Sequence, residues 1–233
     1  MIKRAMILAA GFGKRVLPLT AKRPKALLKI GKETLLSNTL KFLQSFGIEE
    51  VVINVHYLGE EIIEYINNNN FDLNIKIVEE KKKILDTGGG VLNAINNFSR
   101  EPFVIINPDT IWNSKYLKEL KEMEKIFIKK KNKCLLLVVK NEKSFDKSFT
   151  GDFNFKKNLI FKKNSKNLNY TYTGLQIVKS DIFLNMRDKI FSINKIWDKL
   201  ILEKNLYAFE SNIDFFHVST LNIYKKIIKN IKN

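Results

Sequence analysis

The sequence predicts a single α/β domain whose mixed, mostly parallel sheet is flanked by helices. Two observations support this prediction. Strand patterns alternate with helical patterns through the first half of the chain, and 233 residues suit one domain. Strands that alternate with helices are joined by right-handed crossovers, which place consecutive strands parallel to one another. We therefore expect one domain, residues 1–233, with a less regular second half.

The first half of the chain contains four predicted strands and three predicted helices. Apolar or β-branched runs predict strands at residues 4–10, 50–55, 73–79 and 102–107. Helical patterns follow at residues 34–47, 59–68 and 89–98. In the first of these helices Leu36, Leu40 and Leu43 share one face, and Gly47 is expected to end it.

The second half mixes helices with shorter strands. Further helices are predicted at residues 114–130, 193–204 and 220–231. The first of them carries Leu117, Leu120 and Met123 on one side. Further strands are predicted at residues 133–139, 170–178, 206–210 and 214–218. Alternating phenylalanines on either side of Lys157 and Asn158 predict a hairpin over residues 151–163.

The composition excludes several classes of protein. The net charge is +17, but the lysines are spread over segments with few arginines and no nucleic-acid-binding module is recognisable. We therefore expect no nucleic-acid partner, although a positive field attracts polyphosphate substrates. No segment approaches the roughly 20 apolar residues of a membrane span, and the N-terminal apolar run is too short for a secretory signal. We expect a cytoplasmic protein, without a membrane partner, as a monomer or small homo-oligomer.

The chain has one cysteine, Cys134, so an internal disulfide is excluded. It begins an apolar run, CLLLVV, which predicts a buried position where the thiol acts as a small hydrophobic group.

A glycine-rich turn, AAGFGKR, follows the first strand at residues 9–15. Such a turn lets a ligand approach the backbone, whose N–H groups can hold phosphate. Val16 replaces the third glycine of the dinucleotide fingerprint, and Arg15 replaces the Ser or Thr of a P-loop. No suitably placed acidic residue follows the second strand, which also argues against a dehydrogenase. The turn therefore predicts phosphate binding of another kind.

The residues after this turn extend it into a longer pattern, LAAGFGKRVLPLTAKRPK, which ends at Lys25. This pattern resembles the signature of the sugar-1-phosphate nucleotidyltransferases, and the similarity continues through Asp109 to the C-terminal part of the chain. The resemblance implies a Rossmann-like, nucleotide-diphospho-sugar transferase type of domain. It also implies a nucleotide-binding half, residues 1–110, and a sugar-binding half, residues 111–233.

The chemistry of such enzymes agrees with the cations in this pattern. Joining a nucleoside triphosphate to a sugar 1-phosphate brings two polyanions together, which requires positive groups and in-line positioning. The resemblance implies that Arg15 steadies the departing pyrophosphate and that Lys25 holds the sugar phosphate. It implies nucleotide contacts from Leu8, Ala9, Ala10, Gly11, Gly13, Lys14, Glu80, Thr87, Gly88 and Asn107. It implies sugar contacts from Gly151, Asp152, Thr173 and Gly174, although Gly151 and Asp152 also fit an ordinary turn.

A metal site is expected at Asp109, which lies just beyond a β-branched strand and suits Mg²⁺. A helix-capping role for Asp109 is less favoured, because Ser114 is better placed to cap the next helix. The family's second ligand is an aspartate, but His217 occupies that position here and Ser219 replaces a glycine. His217 either binds the ion and favours a softer one such as Mn²⁺, or reaches it through water, or leaves Asp109 to bind it with the nucleotide alone.

The substrate is suggested by the segment LDTGGG, residues 85–90. It resembles an element of the uridylyltransferases that act on N-acetylmuramic acid 1-phosphate, where it helps to enclose the nucleotide. The three glycines also fit a flexible helix start. Ala26 after Lys25 is shared with cholinephosphate cytidylyltransferase-like relatives, so that acceptor stays open. Mannose 1-phosphate with GTP is a competing pair of substrates, and a nucleotide sensor without turnover is a competing function.

Overall fold

The computed structural model describes residues 1–161 and 167–232. The elements of the first half are β1 (Arg4–Leu8), β2 (Lys29–Ile30), β3 (Glu33–Thr34), α1 (Leu35–Phe46), β4 (Glu50–Val55), α2 (Gly59–Asn67), β5 (Asn74–Glu79), α3 (Asp86–Ala94) and β6 (Phe103–Ile106). Those of the second half are α4 (Lys115–Lys129), β7 (Cys134–Lys140), β8 (Asn154–Lys156), β9 (Leu159–Phe161), β10 (Tyr170–Val178), α5 (Asn194–Leu202), β11 (Leu206–Ser211) and α6 (Leu221–Lys232).

One mixed, mostly parallel sheet dominates the described part of the chain. Its nine strands are ordered β5-β4-β1-β6-β10-β7-β11-β9-β8, while β2 and β3 pair separately. Strands β5, β4, β1 and β6 are parallel neighbours, as are β7 and β11. Strand β10 runs antiparallel between β6 and β7, and β9 runs antiparallel to β11 and β8. The predicted fold class and the single domain are confirmed.

The helices cover both faces of the sheet because side chains alternate along the buried strands. Ala5 and Ile7 of β1 face the layer that contains α1, α2 and α4. Met6 lies between them in sequence and faces the layer that contains α3 and α5. The carboxyl ends of β1, β4 and β6 consequently meet at one edge between the two layers, the usual ligand-binding edge of such sheets.

The last helix, α6, supports the segment that follows β1. Ile223 and Ile227 are buried against Val16, Leu28 and Leu35 in a third apolar cluster. Tyr224 adds a hydrogen bond from its hydroxyl to the carbonyl oxygen of Lys29, 2.8 Å long. The C-terminal helix therefore fixes the segment that contains the predicted cations, a role that its amphipathic pattern alone did not indicate.

Most predicted elements are confirmed, with two corrections. The hairpin turn at Lys157 and Asn158 is present, and both residues have positive φ angles, as a two-residue hairpin turn requires. Residues 162 and 163 of the predicted hairpin lie outside the described residues. The predicted strand at residues 214–218 is wrong, because this segment makes only isolated bridges, from Phe215 to Ser144 and from His217 to Thr110, within the described chain.

The second correction concerns the start of α4. Ser114 makes no side-chain capping hydrogen bond, and the side-chain oxygen of Asn113 instead accepts from the N–H of Lys115 at 3.0 Å. In the part of the chain that the structure describes, every helix is too short or too polar to cross a membrane.

Candidate active site

A cavity of about 390 Å³ lies at the carboxyl ends of β1, β4 and β6. Most of the predicted site residues line it: Leu8, Ala9, Ala10, Gly11, Gly13, Lys14, Arg15, Lys25, Glu80, Thr87, Asn107 and Asp109. Sequence positions as far apart as 8 and 109 therefore converge, because parallel strands present their carboxyl ends at one edge.

The glycine-rich turn has one glycine that the fold requires and one that leaves open space. Gly13 has a φ of 64°, and a Cβ there would lie 2.9 Å from the methyl carbon of Thr20. The Thr20 hydroxyl also donates to the Gly13 carbonyl at 2.9 Å. A Cβ at Gly11 would have no neighbour within 4 Å among the described residues. The turn is thus fixed by Gly13, and its backbone is accessible to a ligand at Gly11.

The two predicted catalytic cations have different environments. Arg15 is exposed and forms no ion pair with acidic side chains in the described ranges. Lys25 is mostly buried, and its ammonium group donates to Oδ2 of Asp109. One cation is therefore available at the mouth of the cavity, and the other is held beside the predicted metal ligand.

Asp109 is contacted by two basic side chains, Lys25 and His217. His217 Nε2 lies 3.1 Å from the same Oδ2 atom that Lys25 contacts. Burial raises the pKa of Asp109, but attraction to Lys25 and His217 outweighs that effect and brings the pKa far below its ordinary value. The two neighbours therefore favour the anionic form of Asp109.

Two atoms of this group have no hydrogen-bond partner among the described residues. They are Oδ1 of Asp109 and Nδ1 of His217, and both are buried. Because Nε2 of His217 faces Asp109, Nδ1 is directed away from that carboxylate. A carboxylate oxygen and an imidazole nitrogen are suitable ligands for a divalent ion, so Oδ1 of Asp109 and Nε2 of His217 are the atoms that fit one. However, no group of three or more His, Cys, Asp or Glu side chains in the described chain is arranged to hold a metal. The described His, Cys, Asp and Glu side chains therefore offer at most two ligands here, and a bound nucleotide would have to supply others.

The replacement of the family glycine by Ser219 has a structural explanation. The Ser219 hydroxyl donates to Oδ2 of the buried Asp146. The other oxygen of Asp146 accepts from the N–H and the hydroxyl of Ser148, at 3.0 and 2.7 Å. Burial raises the pKa of Asp146, but these hydrogen bonds outweigh it and lower the pKa. Ser219 thus fixes the segment next to His217 to the loop that follows β7.

A buried polar network forms the floor of the cavity, and the sequence did not indicate it. Asn54 accepts from the N–H of Ala9 at 3.0 Å and donates to Oε1 of Glu80 at 2.7 Å. Oε2 of Glu80 accepts from the N–H of Leu85, also at 2.7 Å. The Ala9 N–H is therefore used within the protein, although its backbone was predicted to contact the nucleotide. A polar residue at the end of an apolar strand, Asn54, is the signal that could have found it.

Gly88, a predicted nucleotide contact, lies in the first turn of α3. It is buried and does not line the cavity within the described chain. Its N–H and that of Gly89 both donate to the carbonyl oxygen of Phe191, at 3.0 Å each. The protein's own backbone thus uses these two N–H groups, and the nucleotide contact at Gly88 stays a prediction.

The four predicted sugar-binding residues do not line this cavity either. Gly151 and Gly174 have φ angles of 84° and 93°, and Gly174 lies where β10 is bulged, with its carbonyl accepting from the N–H of Asn107. The Thr173 hydroxyl donates to the carbonyl of Leu137, and Asp152 accepts from the N–H of Tyr172. Their sugar contacts stay a prediction. Each of these four residues also has a structural role, either a hydrogen bond within the protein or a backbone conformation that favours glycine.

The fold and the site together define a mixed α/β protein whose cavity, at the carboxyl edge of the sheet, is lined by a glycine turn and cations that suit a phosphorylated ligand. The nucleotidyl transferase family model matches residues 4–150. The chain therefore belongs to the nucleotidyl transferase family, and it is a sugar-1-phosphate nucleotidyltransferase.

Characterised relatives act on different sugars. The N-acetylmuramate α-1-phosphate uridylyltransferase of Caulobacter vibrioides is 29% identical over 203 residues, 85% of this chain and 84% of that protein. The enzyme of the same name from Neisseria meningitidis is 36% identical over 109 residues, which is 46% of this chain and 47% of that protein. The D-glycero-α-D-manno-heptose 1-phosphate guanylyltransferase of Aneurinibacillus thermoaerophilus is 27% identical over 98% of both chains.

Solved structures share the fold at low sequence identity. A UDP-glucose pyrophosphorylase in complex with UDP-glucose superposes with a TM-score of 0.81 at 17% identity and covers 100% of this chain and 99% of that chain. The inositol-1-phosphate CTP transferase of T. maritima gives a TM-score of 0.78 at 19% identity and covers 100% and 97%. These similarities support the fold, and they do not distinguish one sugar or base from another.

Proposed function

We propose that the protein joins UTP to N-acetylmuramic acid 1-phosphate and releases pyrophosphate, forming the activated sugar for cell-wall recycling. The observation that carries this proposal is the convergence of Arg15, Lys25 and Asp109 at one cavity whose glycine turn is open at Gly11. The similarity to the Caulobacter enzyme over most of both chains supports the choice of substrates.

The residues of the cavity suit an in-line displacement. An oxygen of the sugar phosphate forms a bond to the α-phosphorus of UTP, while the bond from that phosphorus to the pyrophosphate oxygen breaks. Arg15 lies at the exposed mouth, where it neutralises the departing pyrophosphate. Lys25, held beside Asp109, presents its ammonium group to the attacking sugar phosphate. The reaction therefore needs no covalent bond to the protein.

Asp109 and His217 are the side chains that would hold a divalent ion, Mg²⁺ or a softer ion such as Mn²⁺. The ion would neutralise oxygens of the triphosphate. The unpaired Oδ1 of Asp109 and the adjacent Nε2 of His217 support this assignment. Because the second ligand is an imidazole, we infer that the site accepts Mn²⁺ more readily than a site of two carboxylates does.

The carboxylate of Glu80 supports UTP over CTP. Each of its oxygens accepts one hydrogen bond from the protein, and a carboxylate oxygen can accept a second. Uracil presents a ring N–H to such an acceptor, whereas the corresponding nitrogen of cytosine is itself an acceptor. Glu80 lines the cavity, so a carboxylate oxygen directed at this ring nitrogen would favour uracil over cytosine.

A second candidate is the same chemistry with GTP and a different sugar phosphate. Guanine also presents a ring N–H, so Glu80 does not exclude it. The heptose 1-phosphate guanylyltransferase aligns over 98% of this chain, more than the Caulobacter enzyme does.

A panel of UTP, GTP, CTP and dTTP, each with N-acetylmuramic acid 1-phosphate, mannose 1-phosphate or cholinephosphate, tests the proposal by pyrophosphate release. We expect the highest kcat/KM with UTP and the muramic sugar. Faster turnover with GTP would establish the second candidate instead. Tight UTP binding without pyrophosphate release, with Mg²⁺ and with Mn²⁺, would identify a nucleotide sensor.

A further inference from the structure

A segment of the second half of the chain, residues 191–193, forms hydrogen bonds with the start of α3. The carbonyl oxygen of Phe191 accepts from the N–H groups of both Gly88 and Gly89. The N–H of Phe191 donates to the carbonyl of Leu85 at 3.2 Å, and that of Ile193 donates to the Thr87 hydroxyl at 2.9 Å. Four hydrogen bonds therefore join residues about 100 positions apart at this helix terminus.

The three consecutive glycines have no free space around them. A Cβ at Gly88 would overlap the Phe191 ring, and one at Gly89 would overlap the carbonyl oxygen of Lys189. A Cβ at Gly90 would lie 2.6 Å from the side-chain nitrogen of Asn54. Each of these approaches is closer than any real carbon contact, so these positions exclude larger residues because the protein itself fills the space.

The turn at residues 85–90, which these contacts hold, extends to the wall of the cavity. Asp86 and Thr87 both line it, and Asp86 has a φ of 61°, a conformation that non-glycine residues rarely adopt. Leu85, whose carbonyl accepts from Phe191, also donates to Glu80 at the cavity floor. Displacing Phe191 would consequently release both the turn at the mouth and a hydrogen bond at the floor.

We propose that Phe191 is a positioning residue for the nucleotide. Its backbone satisfies the start of α3, and its ring fills the space that the glycines leave, so the turn at Asp86 and Thr87 keeps the shape that encloses the nucleotide. Phe191 does not line the cavity described above and acts through this turn. The inference rests on the proposed function for the identity of the nucleotide, and the glycines themselves serve Phe191 rather than the ligand.

A double-mutant cycle tests this assignment. We expect Gly88→Ala and Phe191→Leu each to weaken UTP binding, measured by calorimetry, by about tenfold, because each disturbs the packing of the turn. In Gly88→Ala, Phe191→Leu should restore part of the lost affinity, since the smaller side chain makes room for the new methyl group. Phe183→Leu is the matched control, because Phe183 is fully buried in the same apolar cluster, and it should lower stability without changing UTP affinity.

Additive losses in the double variant would overturn the proposal, because they would show that the methyl group at residue 88 obstructs the nucleotide itself. Amide exchange in the protein without nucleotide provides a second, independent measurement. Phe191→Leu should accelerate exchange at residues 85–90, and Phe183→Leu should not, whereas equal protection in both variants would refute the role of Phe191. If the wild-type protein uses no nucleotide, the proposed function fails, and amide exchange still decides the positioning role.

Discussion

The two glycine-rich segments differ in what fills the space that glycine leaves. At Gly11 the space is open and faces a cavity with an exposed arginine. At Gly88 and Gly89 the space is occupied by Phe191 and by the carbonyl of Lys189. A glycine therefore marks a close approach, and the sequence does not reveal whether a ligand or the chain itself approaches. Polar side chains differ in the same way. Some have no partner in the described chain and remain available to a ligand, whereas others form hydrogen bonds that hold the fold together.

Arg15 is exposed and available to a ligand, so its removal should affect catalysis and leave the fold intact. We expect Arg15→Ala to lower kcat/KM by about 10²–10³-fold, as the loss of one charge-stabilising donor does elsewhere. The free energy of unfolding in urea should change by less than about 0.5 kcal/mol. Arg23→Ala, an exposed arginine that does not line the described cavity, should keep its activity. Full turnover by Arg15→Ala would contradict the proposed chemistry.

A pair of glycine variants tests the comparison itself. Gly89→Ala should destabilise the protein by about 1–3 kcal/mol, because its methyl group meets a backbone carbonyl that cannot rotate away. Gly11→Ala should leave the free energy of unfolding within about 0.5 kcal/mol of the wild type and still weaken UTP binding. Urea unfolding and calorimetry give the two quantities. Equal destabilisation by both substitutions would show that the open space at Gly11 has no significance.

His217 tests whether an available side chain is a metal ligand. His217→Asp should shift the ratio of the rates with Mg²⁺ and Mn²⁺ toward Mg²⁺ by about tenfold, because a carboxylate suits the harder ion. Ser219→Gly serves as the control for local disturbance, since it alters the same segment without changing the ligand set. An unchanged ratio in His217→Asp would argue that His217 does not contact the ion.

Ser219, in contrast, forms a hydrogen bond that holds the fold together. Ser219→Ala should cost about 2 kcal/mol of unfolding free energy at pH 7, because it removes a hydrogen bond to a buried carboxylate. The pKa of Asp146 is lowered by folding, so this stabilisation is present above pH about 4 and is lost as the pH falls further. The difference in unfolding free energy between wild type and variant, measured in urea, should therefore narrow as the pH is lowered below about 4. Ser180→Ala is the control, because the buried Ser180 hydroxyl has no hydrogen-bond partner in the described chain.

The sequence predicted most of the first half of the fold and the cations of the site. Apolar strands followed by glycine, arginine and lysine predict a ligand site directly, because the carboxyl ends of parallel strands lie together at one edge of the sheet. Asn54 and Phe191 were not assigned roles, since their partners lie 26 and about 100 positions away in sequence. Such partners depend on tertiary packing and leave no local pattern.

The incorrectly predicted strand at residues 214–218 shows a second limit of prediction from sequence, which concerns strand pairing. Phe215 and Val218 are almost fully buried, and aromatic and β-branched residues are typical of strands. The composition correctly indicated burial. It did not indicate pairing, because the segment crosses from Ser144 to Thr110 and makes one bridge with each in place of a continuous ladder.

The buried position of Cys134 offers a practical advantage for labelling. Its thiol is fully buried, donates a weak hydrogen bond to Gln176 at 3.4 Å, and has a pKa that burial raises. Because the native thiol is both inaccessible and protonated, alkylating reagents should modify it only after unfolding. A cysteine introduced at the exposed Lys157 would then carry a fluorophore at a single position, without first removing the natural one.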